Sequence, residues 1–245
     1  MGNAFITVYM TRGPKMDRHP HHDYAANFTV LQRLAESVAP HGELIVVSDS
    51  LQPKHVPAEL RESVTIRKVA PLTGNFFMER WDLIRDTIAD RPDLDFVYAV
   101  DGRDVIVVDD PWDFIAPGTL YTCTEPVALP GLRRWRGQPL VRSGFINDPS
   151  FHRSPTIRQW IRHHPQLVAL NAGVSAGDRE TMSTFAALMA EHRLDDHVAD
   201  DYTDMALFNW VAHSMMNNVV GSEAYIGAKC HLIDEAPNAK VLHVP

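Results

Sequence analysis

The chain has 245 residues, of which 45% are hydrophobic and 22% charged, enough to bury the core of one large α/β domain or two small ones. Its formal net charge of −8 argues against a broad basic surface for nucleic acid or for an anionic membrane. The sequence shows neither a signal peptide nor an apolar run of about 18 residues, and Cys123 and Cys230 are too far apart to suggest a disulfide framework, so we expect a cytoplasmic protein.

Strand-like and helical patterns alternate through the first 110 residues. Short β-branched and aromatic runs predict strands, and apolar residues at intervals of three and four predict helices, the first of them capped by Asp23. The predicted strands cover residues 5–10, 43–47, 64–69 and 95–100, and the predicted helices cover residues 23–38 and 77–89. This alternation favours βαβ units and a mostly parallel sheet. Three histidines at positions 19, 21 and 22 are interrupted by Pro20, and we expect them in a solvated loop rather than in a metal site.

The fourth predicted strand ends in Asp101-Gly102-Arg103-Asp104, and a second apolar run follows at once. Burying a carboxylate is costly unless it is paired or holds a cation, and ligands of open α/β sheets bind just outside the carboxyl ends of the strands. Two carboxylates on a tight turn can share one hard divalent cation, and Gly102 allows such a turn. An ordinary Asp-Gly turn with solvated acids is the alternative. Asp101 and Asp104 are therefore candidate metal ligands.

The second half of the chain is less regular. Residues 126–155 are rich in proline, glycine and arginine, which is typical of a loop that is either solvated or used as a lid or an acceptor-binding surface. The remaining predicted elements are a helical turn at 111–115, strands at 120–124, 167–170, 225–232 and 240–244, and helices at 156–163, from Asp178 onward, and at 202–214.

Three further segments contain polar residues that burial alone does not explain. Asn171 and Gly173 interrupt a strand pattern, which suggests either a bulge or the close approach of a ligand to the backbone. Asp201 and Asp204 fit the N-cap and third position of the late helix, but Asp204 needs a partner if this apolar helix is buried. His243 stands in the last predicted strand, and an imidazole beside carboxylates suits Mn²⁺ better than Mg²⁺.

In this order, the features resemble the GT-A fold nucleotide-sugar glycosyltransferases over nearly the whole chain. The matching segments are Val100-Asp101-Gly102-Arg103-Asp104-Val105, Asn171-Ala172-Gly173-Val174, Asp204-Met205-Ala206-Leu207-Phe208-Asn209 and Val241-Leu242-His243. The resemblance implies a GT-A-like α/β fold, in which a mostly parallel Rossmann-type sheet is flanked by helices and a smaller mixed region lies on the acceptor side. It also implies one domain over residues 1–245, with a nucleotide-binding half at 1–110 and an acceptor-binding, metal-completing half at 111–245.

The resemblance also assigns roles to particular residues. The metal ligands would be Asp104 and His243, with Asp101 on the metal or on the donor ribose, and Asn171 and Gly173 would belong to the donor and acceptor segment. Residues at the early strand ends would hold the nucleotide base, namely Thr11, Arg12 and the turn from Ser48 to Ser50. The Asp-x-x-Asp spacing departs from the Asp-x-Asp of the family, and the chain lacks the Gly- and Lys-containing tail after the histidine. Arg80 or Arg103 would supply that positive charge instead.

The implied activity is the metal-dependent transfer of a sugar, such as a hexose, from a nucleoside-diphosphate sugar to an acceptor hydroxyl. A UDP-sugar is the favoured donor, with Mn²⁺ or Mg²⁺ as the Lewis acid for the departing diphosphate. Asp204, and after it Asp201, would be the base of an inverting enzyme or a positioning acid of a retaining one.

Two other functions and several acceptors stay open at this stage. A sugar-phosphate nucleotidyltransferase would need a Gly-rich loop after the first strand, where residues 11–15 contain one glycine. A non-catalytic sugar-nucleotide-binding protein is the second alternative. The acceptor is a glycan, a protein, a small molecule or a modified nucleic acid, the last through the basic loop from Arg133 to Arg142.

Overall fold

Strands and helices alternate along the chain, as the apolar patterns predict. The computed structural model describes residues 2–12, 26–124, 154–193, 204–222, 224–228 and 238–244. Within these ranges the elements are β1 Gly2–Tyr9, α1 Thr29–Val38, β2 Glu43–Ser48, β3 Val64–Lys68, α2 Phe76–Ala89, β4 Leu94–Val100, β5 Val105–Val107, β6 Leu120–Thr124, α3 Pro155–His163, β7 Leu170–Asp178, α4 Arg179–His192, α5 Met205–Met215, β8 Val219–Gly221, β9 Ile226–Ala228 and β10 Val241–His243. Two 3₁₀ helices, Pro53–His55 and Ala58–Leu60, connect β2 to β3.

Seven strands form the main sheet in the order β3-β2-β1-β4-β7-β6-β8. The pairs β2–β3, β1–β2, β1–β4 and β6–β8 are parallel, whereas β7 runs antiparallel to both of its neighbours. Alternate residues of a strand point to opposite faces, so Ala4 and Ile6 of β1 enter the core beneath α2, α4 and α5, while Phe5 and Tyr9 enter the core beneath α1. The prediction of an α/β fold with a mostly parallel sheet flanked by helices is therefore confirmed.

A second, smaller sheet lies beside the end of β4. Its order is β5-β10-β9, with β10 antiparallel to β5 and parallel to β9. His243 of β10 is opposite Val105 of β5, which follows the Asp101-to-Asp104 turn directly. The Val244 N–H group donates to the Asp104 carbonyl oxygen at 2.5 Å. This pairing brings the last described strand of the chain to the carboxyl end of β4.

Two predicted helix starts are wrong, because each helix begins later than the apolar pattern predicts. Residues 26–28 lie outside α1, and the Asn27 side chain accepts the N–H group of Thr29, the first helical residue. The predicted cap Asp23 lies outside the described residues. The helix α5 begins after Asp204, so Asp204 is its N-cap residue rather than its third position. Its carboxylate makes no capping bond and is instead bonded to Arg80.

Two further differences concern predicted strands and turns. Residues 111–115 form a turn, in which the Ile115 N–H group donates to the Trp112 carbonyl oxygen, rather than a turn of helix. The strand predicted at 167–170 begins at Leu170 and continues through the glycine-containing segment to Asp178 as β7. The alanines and glycines of this segment are compatible with a strand because β7 lies inside the sheet, between β4 and β6.

Asp178 holds the start of α4 with both of its carboxylate oxygens. Oδ1 accepts the Thr181 N–H group at 2.7 Å and Oδ2 accepts the Gly118 N–H group at 2.9 Å. We expect Asp178→Ala to lower the free energy of unfolding by about 1–2 kcal/mol, because two backbone donors lose their partner. Urea unfolding measures this change. The control Glu180→Ala removes an exposed acid from the same first turn and should cost less than about 0.5 kcal/mol; equal losses would contradict the capping role.

Candidate metal centre

Three potential metal ligands converge where β4 ends. Asp101 and Asp104 come from the turn between β4 and β5, and His243 comes from β10. Each offers one ligand atom, and these atoms all lie within 4.8 Å of one another. The fold therefore brings together the three residues that the sequence predicts as metal ligands, although His243 is 139 residues from Asp104 in the sequence.

His243 is buried between the two acids and the amide of Asn171. Its Nε2 lies 2.9 Å from Asp104 Oδ2 and 3.8 Å from Asp101 Oδ2, and its Nδ1 lies 3.0 Å from Asn171 Oδ1. The ring is 7% exposed, whereas the two carboxylates are each about a third exposed, at 34% and 37%. The imidazole thus forms the inner wall of the cluster, and the two acids face its opening.

Gly173 leaves the space that His243 occupies. A β-carbon at this position would lie 2.3 Å from His243 Cε1 and 2.8 Å from Asp101 Oδ2, closer than any side chain tolerates. The Gly173 carbonyl oxygen also accepts the Asp101 N–H group at 2.8 Å. The sequence suggests either a bulge or the close approach of a ligand here. In the structure the register of β7 against β6 shifts between Asn171 and Ser175, and the groups that approach Gly173 are side chains of the protein itself.

Arg80 of α2 joins Asp101 to a third carboxylate, that of Asp204. Its Nη1 donates to Asp101 Oδ1 at 2.5 Å, and its Nη2 donates to Asp204 Oδ2 at 2.6 Å and to the Ala172 carbonyl oxygen at 3.1 Å. The Nε–H group of Arg80 and the Nε1–H group of Trp81 also donate to Asp204 Oδ2. Arg80 and Asp204 are only 8% and 4% exposed. Nearly all of the donors of this guanidinium are used inside the protein.

The electrostatics of the cluster favour a bound cation. Burial acts to lower the pKa of Arg80, but Asp204 and Asp101 outweigh it and raise that pKa, so the guanidinium stays charged. Burial raises the pKa of Asp101, as do Asp104 and Asp204, against the opposing effects of Arg80 and His243. Among the contacts of the described residues, one guanidinium stands against the three carboxylates of Asp101, Asp104 and Asp204, which leaves two negative charges in excess when the imidazole is neutral. A divalent cation would neutralise them.

The chemistry of the ligand atoms fits such an ion. Asp104 Oδ1 is buried and has no hydrogen-bond partner among the described residues, so this oxygen is available for coordination. Carboxylate oxygens suit hard divalent cations, and one imidazole nitrogen among them suits Mn²⁺ or a similar transition metal. Asp101 offers Oδ2, because its Oδ1 is bonded to Arg80.

The residues predicted to hold a nucleotide base lie at the ends of β1 and β2. The N–H groups of Thr11 and Arg12 both donate to the buried Asp49 carboxylate, each at 2.9 Å. Ser48 Oγ accepts the N–H groups of Ser50 and Leu51 and so stabilises the turn after β2. The structure brings these residues to the same edge of the sheet as Asp101, because β1, β2 and β4 are parallel.

Sequence reasoning overlooked Asp49 and Trp81. Asp49 stands in the predicted base-binding turn, but its role in holding the neighbouring strand end has no local signal. Trp81 lies within the predicted helix at 77–89, where apolar spacing gives its side chain no polar role, but a buried indole N–H group usually has a hydrogen-bond partner, and that partner is Asp204.

Several predicted site residues make no described contact with the cluster. Arg103 is exposed on the turn between the two acids. Asp201, the basic loop from Arg133 to Arg142 and the histidines at 19, 21 and 22 lie outside the described residues. Their roles stay predictions.

We expect Arg80→Ala to lower the free energy of unfolding by about 3–5 kcal/mol, because Asp101 and Asp204 would lose their buried counter-charge. Arg85→Ala is the control on the same helix. Its ion pairs with Asp82 and Asp86 are partly exposed and should contribute about 1 kcal/mol or less. Denaturant unfolding compares the two variants, and similar losses would show that the buried ion pairs are not the stronger constraint.

Comparison with known proteins does not identify a family for this chain. A scan of protein-family models gives no match to the chain, and a search of curated proteins gives none either. Among the helices that the structure describes, none has the length and apolar character to cross a membrane.

Proposed function

We propose that this chain is a metal-dependent glycosyltransferase of the GT-A type, which moves a sugar from a nucleoside-diphosphate sugar to an acceptor hydroxyl. A UDP-sugar is the favoured donor, and Mn²⁺ or Mg²⁺ is the cation. The observation that carries the proposal is the convergence of Asp101, Asp104 and His243 at the carboxyl end of β4. In open α/β sheets this edge is where ligands bind.

The two acids of the turn have different roles in this proposal. Asp104 and His243 would hold the cation, with Asp101 contributing Oδ2 while Arg80 fixes its Oδ1. When bound, the cation supplies Lewis-acid stabilisation of the charge that develops on the departing diphosphate. The exposed edges of both carboxylates would leave the remaining coordination positions to the diphosphate oxygens.

In this proposal Arg80 has a structural role, and it suits the diphosphate-binding role less well than Arg103, the other option that the sequence suggested. Its Nε–H group and both of its terminal nitrogens already donate to protein oxygens, and the side chain is buried. Arg103 is exposed on the turn between the two acids and is the better candidate for contacting an anionic ligand.

Asp204 fits the positioning role better than that of a base. A general base must come within about 2.6–3.2 Å of the hydroxyl proton that it removes. Asp204 is 4% exposed, and its Oδ2 accepts N–H groups from Arg80 and Trp81. In this arrangement Asp204 holds Arg80, and through Arg80 it orients Asp101.

A thermal-shift comparison of UDP, GDP, ADP and CMP, each with and without Mn²⁺, tests the metal and donor class. A ligand that binds only the folded state raises the apparent stability, and at about 100 times its dissociation constant one nucleotide with Mn²⁺ should raise Tm by roughly 5–10 °C. Asp104→Ala should abolish this shift. Asp109→Ala, which removes an exposed carboxylate paired with Lys240, should keep it. If no nucleotide shifts Tm with Mn²⁺, the proposal fails.

Transfer chemistry is tested by the release of UDP, or of whichever nucleotide binds, from a panel of donor sugars with Mn²⁺. We expect His243→Ala to slow release by at least about 100-fold, which corresponds to roughly 3 kcal/mol of lost transition-state stabilisation. His163→Ala, an exposed histidine of α3, is the control and should leave the rate unchanged.

The same assays separate the two alternatives. Nucleotide binding without release from any donor would favour a non-catalytic sugar-nucleotide-binding protein. Pyrophosphate release from a nucleoside triphosphate and a sugar phosphate would favour a nucleotidyltransferase.

A further inference from the structure

We propose that Asn171 is a positioning residue for the metal, because it fixes the tautomer of His243. This inference rests on the metal site of the proposed function and adds a role that the family resemblance does not give to this residue. The resemblance assigns Asn171 to the donor and acceptor segment, whereas in the structure its carboxamide oxygen faces the backbone and the imidazole.

The orientation of the Asn171 amide follows from its backbone neighbour. The Gly173 N–H group lies 2.8 Å from the Asn171 side-chain atom assigned as Oδ1. A backbone N–H group can only donate, and the side-chain NH₂ group cannot accept, so the atom at this position must be the oxygen. The amide is 4% exposed, and this contact holds it in one orientation.

The same oxygen then determines which nitrogen of His243 carries a proton. His243 Nδ1 lies 3.0 Å from Asn171 Oδ1. Because an amide oxygen only accepts, Nδ1 must donate and must carry hydrogen. In the neutral imidazole, the lone pair is then on Nε2.

This tautomer directs the lone pair of His243 toward the two acids. Nε2 lies 2.9 Å from Asp104 Oδ2 and 3.8 Å from Asp101 Oδ2. With Nδ1 protonated, Nε2 either carries a second proton and donates to Asp104 or, in the neutral ring, offers its lone pair to a cation on the side of the two acids. The tautomer that Asn171 selects is therefore the neutral form that can bind a metal there. Outer hydrogen bonds of this kind commonly orient metal-binding histidines, and their loss typically weakens metal affinity by about 10–100-fold.

The chain offers a matched control in Asn209 of α5. Asn209 is also a buried amide, and it binds the N–H group and the carbonyl oxygen of Leu170, the residue directly before Asn171. Asn209→Ala therefore removes an amide that supports the same strand without touching the imidazole in any described contact. Asn171→Asp is the conservative variant, because a carboxylate oxygen can accept from both the Gly173 N–H and the His243 Nδ1–H groups.

The test titrates Mn²⁺ alone into the full-length protein and measures free Mn²⁺ by electron paramagnetic resonance. We expect Asn171→Ala to weaken binding by about 10–100-fold, and Asn171→Asp and Asn209→Ala to stay within about threefold of the wild type. A second readout is the imidazole N–H resonance of His243 in ¹⁵N-histidine-labelled protein, identified by its absence in His243→Gln. A slowly exchanging Nδ1–H signal should be present in the wild type, Asn171→Asp and Asn209→Ala and absent in Asn171→Ala.

The outcomes separate this inference from the proposed function. Mn²⁺ binding by Asn171→Ala equal to that of the wild type would overturn the inference and leave the metal site standing. No Mn²⁺ binding by the wild type would overturn both. If Asn171→Ala does not fold, the wild-type spectrum decides alone, since a His243 resonance protonated only at Nε2 would contradict the assigned tautomer.

Discussion

The sharing of the Arg80 guanidinium between Asp101 and Asp204 is the constraint on which the site depends. Through these bonds Arg80 links α2 to the end of β4 and to Asp204, the residue directly before α5. Arg80 also donates to the Ala172 carbonyl oxygen and so links α2 to β7. Arginine does not lose its proton under conditions in which proteins fold, so this connection persists across pH. Removing one partner would leave a buried charge without compensation, and the four elements would lose their common anchor.

The anchor also makes the two acids of the turn unequal. Asp101 has one oxygen bonded to Arg80, while Asp104 has one oxygen beside His243 and one without a described partner. Gly102 between them packs against the protein, since a β-carbon there would lie 2.5 Å from Leu31 Cδ2. The turn therefore packs closely against α1, and a larger residue at position 102 would need Leu31 to shift.

Most of the sheet could be predicted from the sequence, because its strands are short β-branched runs that are buried on both faces. The pairing of the early acids with His243 was implied by the order of motifs. The starts of α1 and α5 could not be read from periodicity, since the Asn27 side chain bonds the first residue of α1 and the Asp204 carboxylate is bonded to Arg80 instead of capping α5. The bond between Arg80 and Asp204 spans 124 residues and has no local signal, because an arginine on an amphipathic helix normally lies on the solvated side.

A charge comparison within the molecule separates the site from an ordinary structural network. On the outer side of α2, Asp82 and Asp86 are matched by Arg85 and Arg193, so acids and arginines balance. At the carboxyl end of β4, Arg80 pairs with Asp101 and Asp204, whereas Asp104 is paired with His243 and has no described arginine or lysine partner. Such an imbalance costs stability unless something else supplies positive charge. Local rules of this kind are broken mainly where function requires it, and a cation held by Asp101, Asp104 and His243 would supply positive charge at this edge.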